Sequence, residues 1–460
     1  MSQTQQHSEM FAPELLTKYN VSGPRYTSYP TALEFSDNFL NDDLLQAIEQ
    51  SDNDDLSLYV HIPFCHSLCY YCGCNKIVTR HSDKADEYLQ YLFKEIELRA
   101  LSFKGHTVKQ LHWGGGTPTF LTKQQISSLV NKLKSVFTFS DHVEMSIEVD
   151  PREIELDLMD HLVSEGFNRL SIGVQDTDSK VQKAINREQS TEFITDLVKR
   201  ARAVGFKSIN LDLIYGLPHQ TVATFANTMK AVKVMDPDRI SLFSYAHMPS
   251  RFAAQRKIRD EWLPNAEQKF ELMQYAIESF IDHGYEFIGM DHFAKPTDEL
   301  AIAQKEGTLH RNFQGYTTLG DCDLLALGVS SISAIGKSFS QNSKTLKEYY
   351  HAVSEQGHAL EKGIVTSQDD VIRATVIKEL MCNFRLDKSI IEKQYNINFA
   401  EYFAQDLLSL ETFKLDGLLT DTDNEIVVAP KGRLLIRNIC MSFDIYMKSK
   451  LSQQRFSRVI

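Results

Sequence analysis

Between about residue 56 and residue 292, short apolar or β-branched runs alternate with longer stretches whose apolar positions recur at helical spacing. The short runs are LSLYV from Leu56, VKQLHW from Val108, VEMSIE from Val143, RLSIGV from Arg169, SINLDLIYG from Ser208 and RISLFSY from Arg239, and YEFIGM from Tyr285 is a candidate seventh. Segments such as KADEYLQYLFKEIELRAL and KQQISSLVNKLKSVF put charge on one face and apolar side chains on the other, as crossover helices do. Regular βα alternation predicts parallel strands closed or curved into a barrel, with ligand chemistry at the carboxyl ends of the strands.

The flanks follow other patterns. The first 55 residues carry GPRYTSYPT at Gly23–Thr31, whose prolines and glycine forbid a regular helix. Its tyrosines and arginine are more than a solvated linker needs, so it reads as an ordered arm. Beyond about residue 296 the βα rhythm stops. From Asp369 onward the pattern is mostly helical, and EIVVAPKGRLLIRNI suggests a strand, a turn and a last helix, a winged-helix-like arrangement. The expected division is an N-terminal arm (1–55), a catalytic barrel (56–295) and a mostly helical C-terminal domain (296–460). No basic stripe accompanies the last of these, so a packing or lid role fits it better than DNA binding.

Composition narrows the classes. With 460 residues, 42% of them hydrophobic and 24% charged, the chain is enzyme-sized and globular in type. A net charge of −12 disfavours electrostatic capture of nucleic acid or an anionic membrane over the whole surface. MSQTQQHSEMFAPELL lacks a basic and apolar leader, and no stretch approaches 18 uninterrupted apolar residues, so a cytoplasmic protein without a membrane partner is expected. Seven cysteines do not make a secreted disulfide framework. Cys322, Cys382 and Cys440 lie far apart and read as buried thiols.

The other four cysteines crowd into YVHIPFCHSLCYYCGCNK, directly after the first strand. Cys65, Cys69 and Cys72 have the spacing C-x3-C-x2-C, and three thiolates so placed can wrap one small cluster. A four-iron cubane held by three cysteines leaves one iron open to a chelating ligand. Zinc is the alternative, with Cys74 as fourth sulfur, although four ligands within ten residues is a strained way to build a zinc site. After the second strand comes HWGGGTPT, where Gly114, Gly115 and Gly116 strip side chains from a strand end and let a ligand reach the backbone. Glu148, Gln175, Asp212 and Tyr245–Ala246 then recur at the ends of successive strands, as a site built on one rim requires. Each taken singly is equally well a satisfied structural group, Asp212 most of all.

The cysteine motif, with Tyr71 where the family often has Phe, resembles the radical S-adenosylmethionine superfamily. GPRYTSYPT, YVHIPFC, CYYCGC, LHWGGGTPT, IEVDPRE, GFNRLSIGVQ, NREQ, NLDLIYGLP, QGYTT and RLLIRNICMSFD together resemble the oxygen-independent coproporphyrinogen III oxidase family over essentially the whole chain. The resemblance implies an α/β fold: a partial curved (β/α)6 barrel with an N-terminal arm and a mostly helical, winged-helix-like C-terminal domain. It implies a 4Fe-4S cluster on Cys65, Cys69 and Cys72, with Cys74 a non-ligand. Tyr59, Gly115 and Glu148 would hold a first S-adenosylmethionine. Tyr71, Gly116, Thr117, Gln175, Arg187, Asp212, Ala246 and Ile332 would hold a second.

The implied reaction turns two propionates of coproporphyrinogen III into vinyl groups through a 5'-deoxyadenosyl radical, with loss of carbon dioxide. It needs a reduced electron donor protein and a terminal electron acceptor, and the chain is expected to act as a monomer. Substrate carboxylates call for cationic partners, and Arg25 in the arm is the candidate. Two rivals share parts of the pattern. Heme-binding, chaperone-like relatives share the radical core but typically lack the equivalent of Cys74 and the GPRYTSYPT arm. An electron-transfer iron–sulfur protein would use Cys74 as a fourth ligand.

Overall fold

The computed structural model describes residues 10–448. The chain divides into two compact units, a larger one of Phe35–Leu272 with Asp321–Val365 and a smaller one of Met1–Glu34, Met273–Gly320 and Thr366–Ile460.

The larger unit begins its sheet with β1 (Asp55–Ile62), β2 (Thr107–Gly115), β3 (Thr138–Val149), β4 (Arg169–Gln175), β5 (Ser208–Tyr215) and β6 (Arg239–Ser244). These are the six strands expected from the pattern, and they lie side by side in chain order, all parallel. Between them run α1 (Asp83–Ala100), α2 (Lys123–Val136), α3 (Leu158–Glu165), α4 (Thr191–Val204) and α5 (Val222–Met235). Local chemistry sets their ends. Thr122 accepts from the Gln125 N–H while Gln125 reaches back, a capping box at the start of α2. Gly166 and Gly205 adopt left-handed conformations that close α3 and α4.

The two faces of the strands differ in kind. Leu58, Leu111, Ile147, Ile172, Leu211 and Ile240 are fully buried, as are Leu92, Ile126 and Leu197 on the helices, and together they form the core. The alternate positions are polar: Ser57 donates to Gln110 (2.9 Å), Gln110 to Glu144 (2.8 Å), and Glu144 pairs with Arg169 (2.8 Å). Five strand spacings, about 24 Å in a flat sheet, separate β1 from β6. Yet Gln255, after β6, donates to the carbonyl of Tyr71, after β1, at 3.0 Å. The sheet is curved so that these two loops meet.

The strand pattern in the sequence stops near residue 296, but the structure has four more strands in this sheet. β7 (Asp323–Leu327) runs parallel to β1 on the side away from β2, and β8 (Ile332–Ile335), β9 (Ser338–Asn342) and β10 (Leu360–Val365) continue antiparallel. Their runs are four to six residues long and mixed in polarity, too short to declare a period.

In the smaller unit the arm is ordered. Tyr26 and Tyr29 are buried, the Tyr26 hydroxyl donates to Asp444 (3.0 Å), and Arg437 donates to the Pro24 carbonyl (2.9 Å). YEFIGM forms a strand at Glu286–Gly289 that pairs with His292–Ala294 in an antiparallel hairpin, and both strands belong to the same twelve-stranded sheet as β1–β6, so the candidate seventh strand joins that sheet antiparallel to its hairpin partner. Helices from Gln368 to Leu415 accompany a three-stranded sheet of Arg385–Asp387, Glu425–Val428 and Leu419–Asp421, as a winged-helix-like domain requires. Cys382 and Cys440 are buried thiols, whereas Cys322 is half-buried. Among the described residues no helix is long and apolar enough to cross a membrane.

Candidate active site

The cysteine loop leaves β1 through Pro63 and is stapled at its base, where Phe64–Cys65 pair in parallel with Ile77–Val78. Cys65 and Cys69 are buried, Cys72 is half-buried and Cys74 is exposed. Burial pushes the Cys65 thiol up to about 11. Cys72 is pulled the other way, to about 6: hydrogen bonding from Cys74 lowers it, burial opposes this, and the Lys76 ammonium assists. The backbone N–H of Cys74 donates to the Cys72 sulfur at 3.4 Å, so Cys74 serves that sulfur through its main chain.

Two guanidinium groups address the same thiol. Arg152 and Arg187 donate to the Cys69 sulfur at 3.3 and 3.4 Å. Both also pair with Asp150, at 2.6 and 3.1 Å, and against burial they hold that carboxyl down at about 2. Such donors suit sulfurs that carry negative charge. Among the described residues no three Cys, His, Asp or Glu side chains converge as one metal ion would need.

The glycine turn lies beside the loop. A Cβ on Gly116 would stand 2.6 Å from the Pro63 carbonyl oxygen, and one on Gly115, whose φ is +121°, would stand 2.7 Å from the His61 ring. Glycine is therefore required by close approach as well as by any ligand. The Thr117 hydroxyl lies 3.5 Å from the Cys65 sulfur. His61 Nε2–H donates to the Asn75 carbonyl (3.2 Å) and Nδ1 lies 3.1 Å from the Tyr59 hydroxyl, which ties β1 to the far end of the cysteine loop.

Along the rim, Tyr59 stacks on His112 with centroids 5.8 Å apart, and His112 Nε2 lies 3.5 Å from Glu148. Burial raises the Tyr59 hydroxyl well above its usual range, and the Glu148 charge adds to it. Gln175 closes β4 in a left-handed conformation, φ +63°, beside Arg187, which donates to the Gly173 carbonyl at 2.7 Å. Backbone strain at a buried polar residue marks a position held for use. The Arg187 Nε–H is buried and has no acceptor among the described residues.

Asp212 accepts from Ser171 (3.1 Å) and Asn210 (2.8 Å), and burial together with the Glu148 charge pushes it up to about 6. Tyr71 packs on the apolar cluster of Val181, Ile185, Ile214, Leu217, Tyr245 and Ile258. The Ala246 carbonyl accepts from Gln255 at 3.2 Å. Ile332 opens β8, two strands beyond β1. Arg25 lies in the smaller unit, ion-paired with Asp291. Residues not singled out from sequence complete the set: Arg152, Asp150 and His61 sat within recognised motifs, whereas Gln255 had no signal at all.

Residues 59–232 match the model of the radical SAM superfamily, and residues 366–435 match the HemN C-terminal domain. The chain is 60% identical over 446 residues, 97% of its length and 98% of the relative's, to the oxygen-independent coproporphyrinogen III oxidase of Escherichia coli K12. This chain belongs to the oxygen-independent coproporphyrinogen III oxidase family. The family member from Synechocystis is 47% identical over 98% of both chains. A solved structure described as coproporphyrinogen III oxidase (HemN) from Escherichia coli, a radical SAM enzyme, superposes with a TM-score of 0.93 at 58% identity, covering 95% of this chain and 100% of that one. A 4Fe-4S cluster and S-adenosylmethionine belong to the chemistry of this family, and the thiols, arginines and bare glycine turn described above fit them.

Proposed function

We propose that this chain converts coproporphyrinogen III to protoporphyrinogen IX without oxygen, turning the propionates of two pyrrole rings into vinyl groups. The observation that carries this reading is the C-x3-C-x2-C loop after β1, with the Cys69 sulfur held by the Arg152 and Arg187 guanidinium groups and a side-chain-free glycine turn alongside. Cys65, Cys69 and Cys72 would hold the 4Fe-4S cluster, and Cys74 would stay outside it. When bound, the cluster and S-adenosylmethionine supply a reducing electron and a carbon radical able to take hydrogen from an unactivated C–H bond. For each propionate one hydrogen atom leaves the β-carbon, carbon dioxide leaves, and one electron passes to an external acceptor, which leaves a vinyl group.

The chain's own residues bind, orient and exclude water. Tyr59, Gly115 and Glu148 would hold a first S-adenosylmethionine at the β1–β3 side of the rim. A second molecule would be held by Tyr71, Gly116, Thr117, Gln175, Arg187, Asp212, Ala246 and Ile332. The unpartnered Arg187 Nε–H supports that second site, since a buried donor without an acceptor is otherwise costly. Arg25 remains the candidate for a substrate carboxylate, in exchange for Asp291. A reduced electron donor protein completes the scheme, acting on a monomer in the cytoplasm.

Anaerobic reconstitution with iron and sulfide, followed by reductant, S-adenosylmethionine and coproporphyrinogen III, tests the reading. It expects 5'-deoxyadenosine and the divinyl product. A fully reconstituted protein that forms neither would overturn it.

A further inference from the structure

Gln255 lies on a 3-10 turn, Ala253–Lys257, in the loop that follows β6, and is 2% exposed. Its carboxamide touches main chain only. The nitrogen donates to the carbonyls of Tyr71 (3.0 Å) and Ala246 (3.2 Å), and the oxygen accepts the N–H of Met248 (2.5 Å). Two carbonyls need donors and one N–H needs an acceptor, so this arrangement fixes the orientation of the amide. No other side chain of this length supplies two donors and one acceptor: glutamate would face two carbonyl oxygens with a carboxylate, and asparagine is one methylene short. Nearby, the Phe252 ring covers Gly73, where a Cβ would stand 2.9 Å from Cζ. The loop after the last parallel strand of the six is thus strapped to the cysteine loop after the first.

We propose that Gln255 is a positioning residue that builds the second S-adenosylmethionine site by fixing the backbones of Tyr71 and Ala246 to each other. The inference rests on the reading of a second cofactor molecule given above. Tyr71 and Ala246 stand at opposite ends of the six-strand run, so strand pairing alone does not set their separation; the buried amide ties their main chains directly, beside the packing of the Tyr71 ring on the cluster that includes Tyr245 and Ile258. The first site has no such dependence, because Tyr59, Gly115 and Glu148 sit on three adjacent strands whose register is fixed by the sheet.

The test uses the full chain, anaerobically reconstituted, as wild type, Gln255→Leu and Gln255→Glu. Iron per chain, radiolabelled S-adenosylmethionine bound per cluster by equilibrium dialysis, and the electron paramagnetic resonance signal of the reduced cluster with and without S-adenosylmethionine are measured. Wild type is expected to bind two molecules. Both variants are expected to keep their iron and the spectral response to the first molecule, and to bind the second about tenfold more weakly, through the loss of the two bonds to the Tyr71 and Ala246 carbonyls that both variants share. Retention of both molecules at wild-type affinity would overturn the proposal. So would loss of the cluster together with both molecules, since Gln255 would then support the cysteine loop generally. A wild type that binds one molecule defeats the second-site reading itself, a result visible without any variant.

Discussion

Arg187 donates to Asp150 at 3.1 Å through the same Nη1 that lies 3.4 Å from the Cys69 sulfur. One guanidinium therefore fastens the end of β3 to the cysteine loop, and its other terminal nitrogen holds the Gly173 carbonyl on β4. Arg187→Met should destabilise the chain by about 2–4 kcal/mol, because Asp150 stays buried with Arg152 alone and the Gly173 carbonyl loses its donor. Arg187→Lys keeps the charge but loses the fork, and should recover less than half of that. Urea unfolding of the two variants checks both, and equal stability of Arg187→Met and wild type would remove the fastening role.

Gly116 and Gly105 separate crowding from conformation. At Gly116 an added Cβ meets the carbonyl oxygens of Pro63 and Phe64 at 2.6 and 2.8 Å, both main chain and both leading into Cys65. Gly116→Ala should cost about 3 kcal/mol, the upper end for overpacking, and lower the iron retained per chain after reconstitution. At Gly105 φ is +96° but nothing lies within 4 Å. Gly105→Ala should cost about 1 kcal/mol with iron content unchanged. Iron and melting temperature measured on both variants give the comparison, and a Gly116→Ala protein with full iron would contradict it.

How much of this was legible in the sequence depends on whether a feature is local. The six parallel strands were, because Ser57, Tyr59 and His61 alternate with Leu56, Leu58 and Val60, and a polar inner face opposite an apolar outer one repeats on every neighbour. The cysteine spacing and the glycine turn are contiguous motifs and were equally plain. β7 was not, because DLLAL is a five-residue run indistinguishable by period from a buried helical turn. Gln255 was not, because its meaning lies in carbonyls 184 and 9 residues away. Backbone hydrogen bonds made by a side chain leave no periodic mark. The Arg25–Asp291 pair, 266 residues apart in sequence, was hidden for the same reason.

Asp176 gives the larger unit a pH dependence of defined sign. Burial lifts it from 3.8 to about 6, although Asp178 N–H (2.7 Å), Gln220 (2.5 Å) and Thr228 (3.0 Å) all donate to it. Between those two values the folded chain binds more protons at this site than the unfolded chain. Its contribution is therefore fully present below 3.8 and is lost as pH rises through about 6, a change of about 3 kcal/mol. Stability measured by urea between pH 4.5 and 7.5 should show this slope in wild type, and Asp176→Asn should flatten it. Parallel curves for the two proteins would refute the assignment.

Glu95, fully buried on α1, accepts from the Gly328 N–H (2.8 Å) just after β7, from Asn342 (2.6 Å) at the end of β9 and from the Tyr349 hydroxyl (2.7 Å). Burial raises its pKa, and these donors with Arg99 work against that. Two turns earlier on the same helix, Tyr88 donates to the His61 carbonyl (2.7 Å) and accepts from the Val329 N–H (3.1 Å). α1 therefore pins the four late strands to the end of β1. Glu95→Gln should cost about 1–3 kcal/mol, since one donor is left without an acceptor. Tyr349→Phe should cost less, and the double variant should fall short of the sum by about 1 kcal/mol, because Glu95→Gln already weakens the bond from the Tyr349 hydroxyl by replacing a charged acceptor with a neutral one. A double-mutant cycle by urea denaturation measures that coupling, and strict additivity would show that the hydroxyl and the carboxylate act independently. Ile332 begins β8, inside the pinned segment, so if it holds the second S-adenosylmethionine proposed above, the same variants should weaken that binding while leaving iron content as it is in wild type.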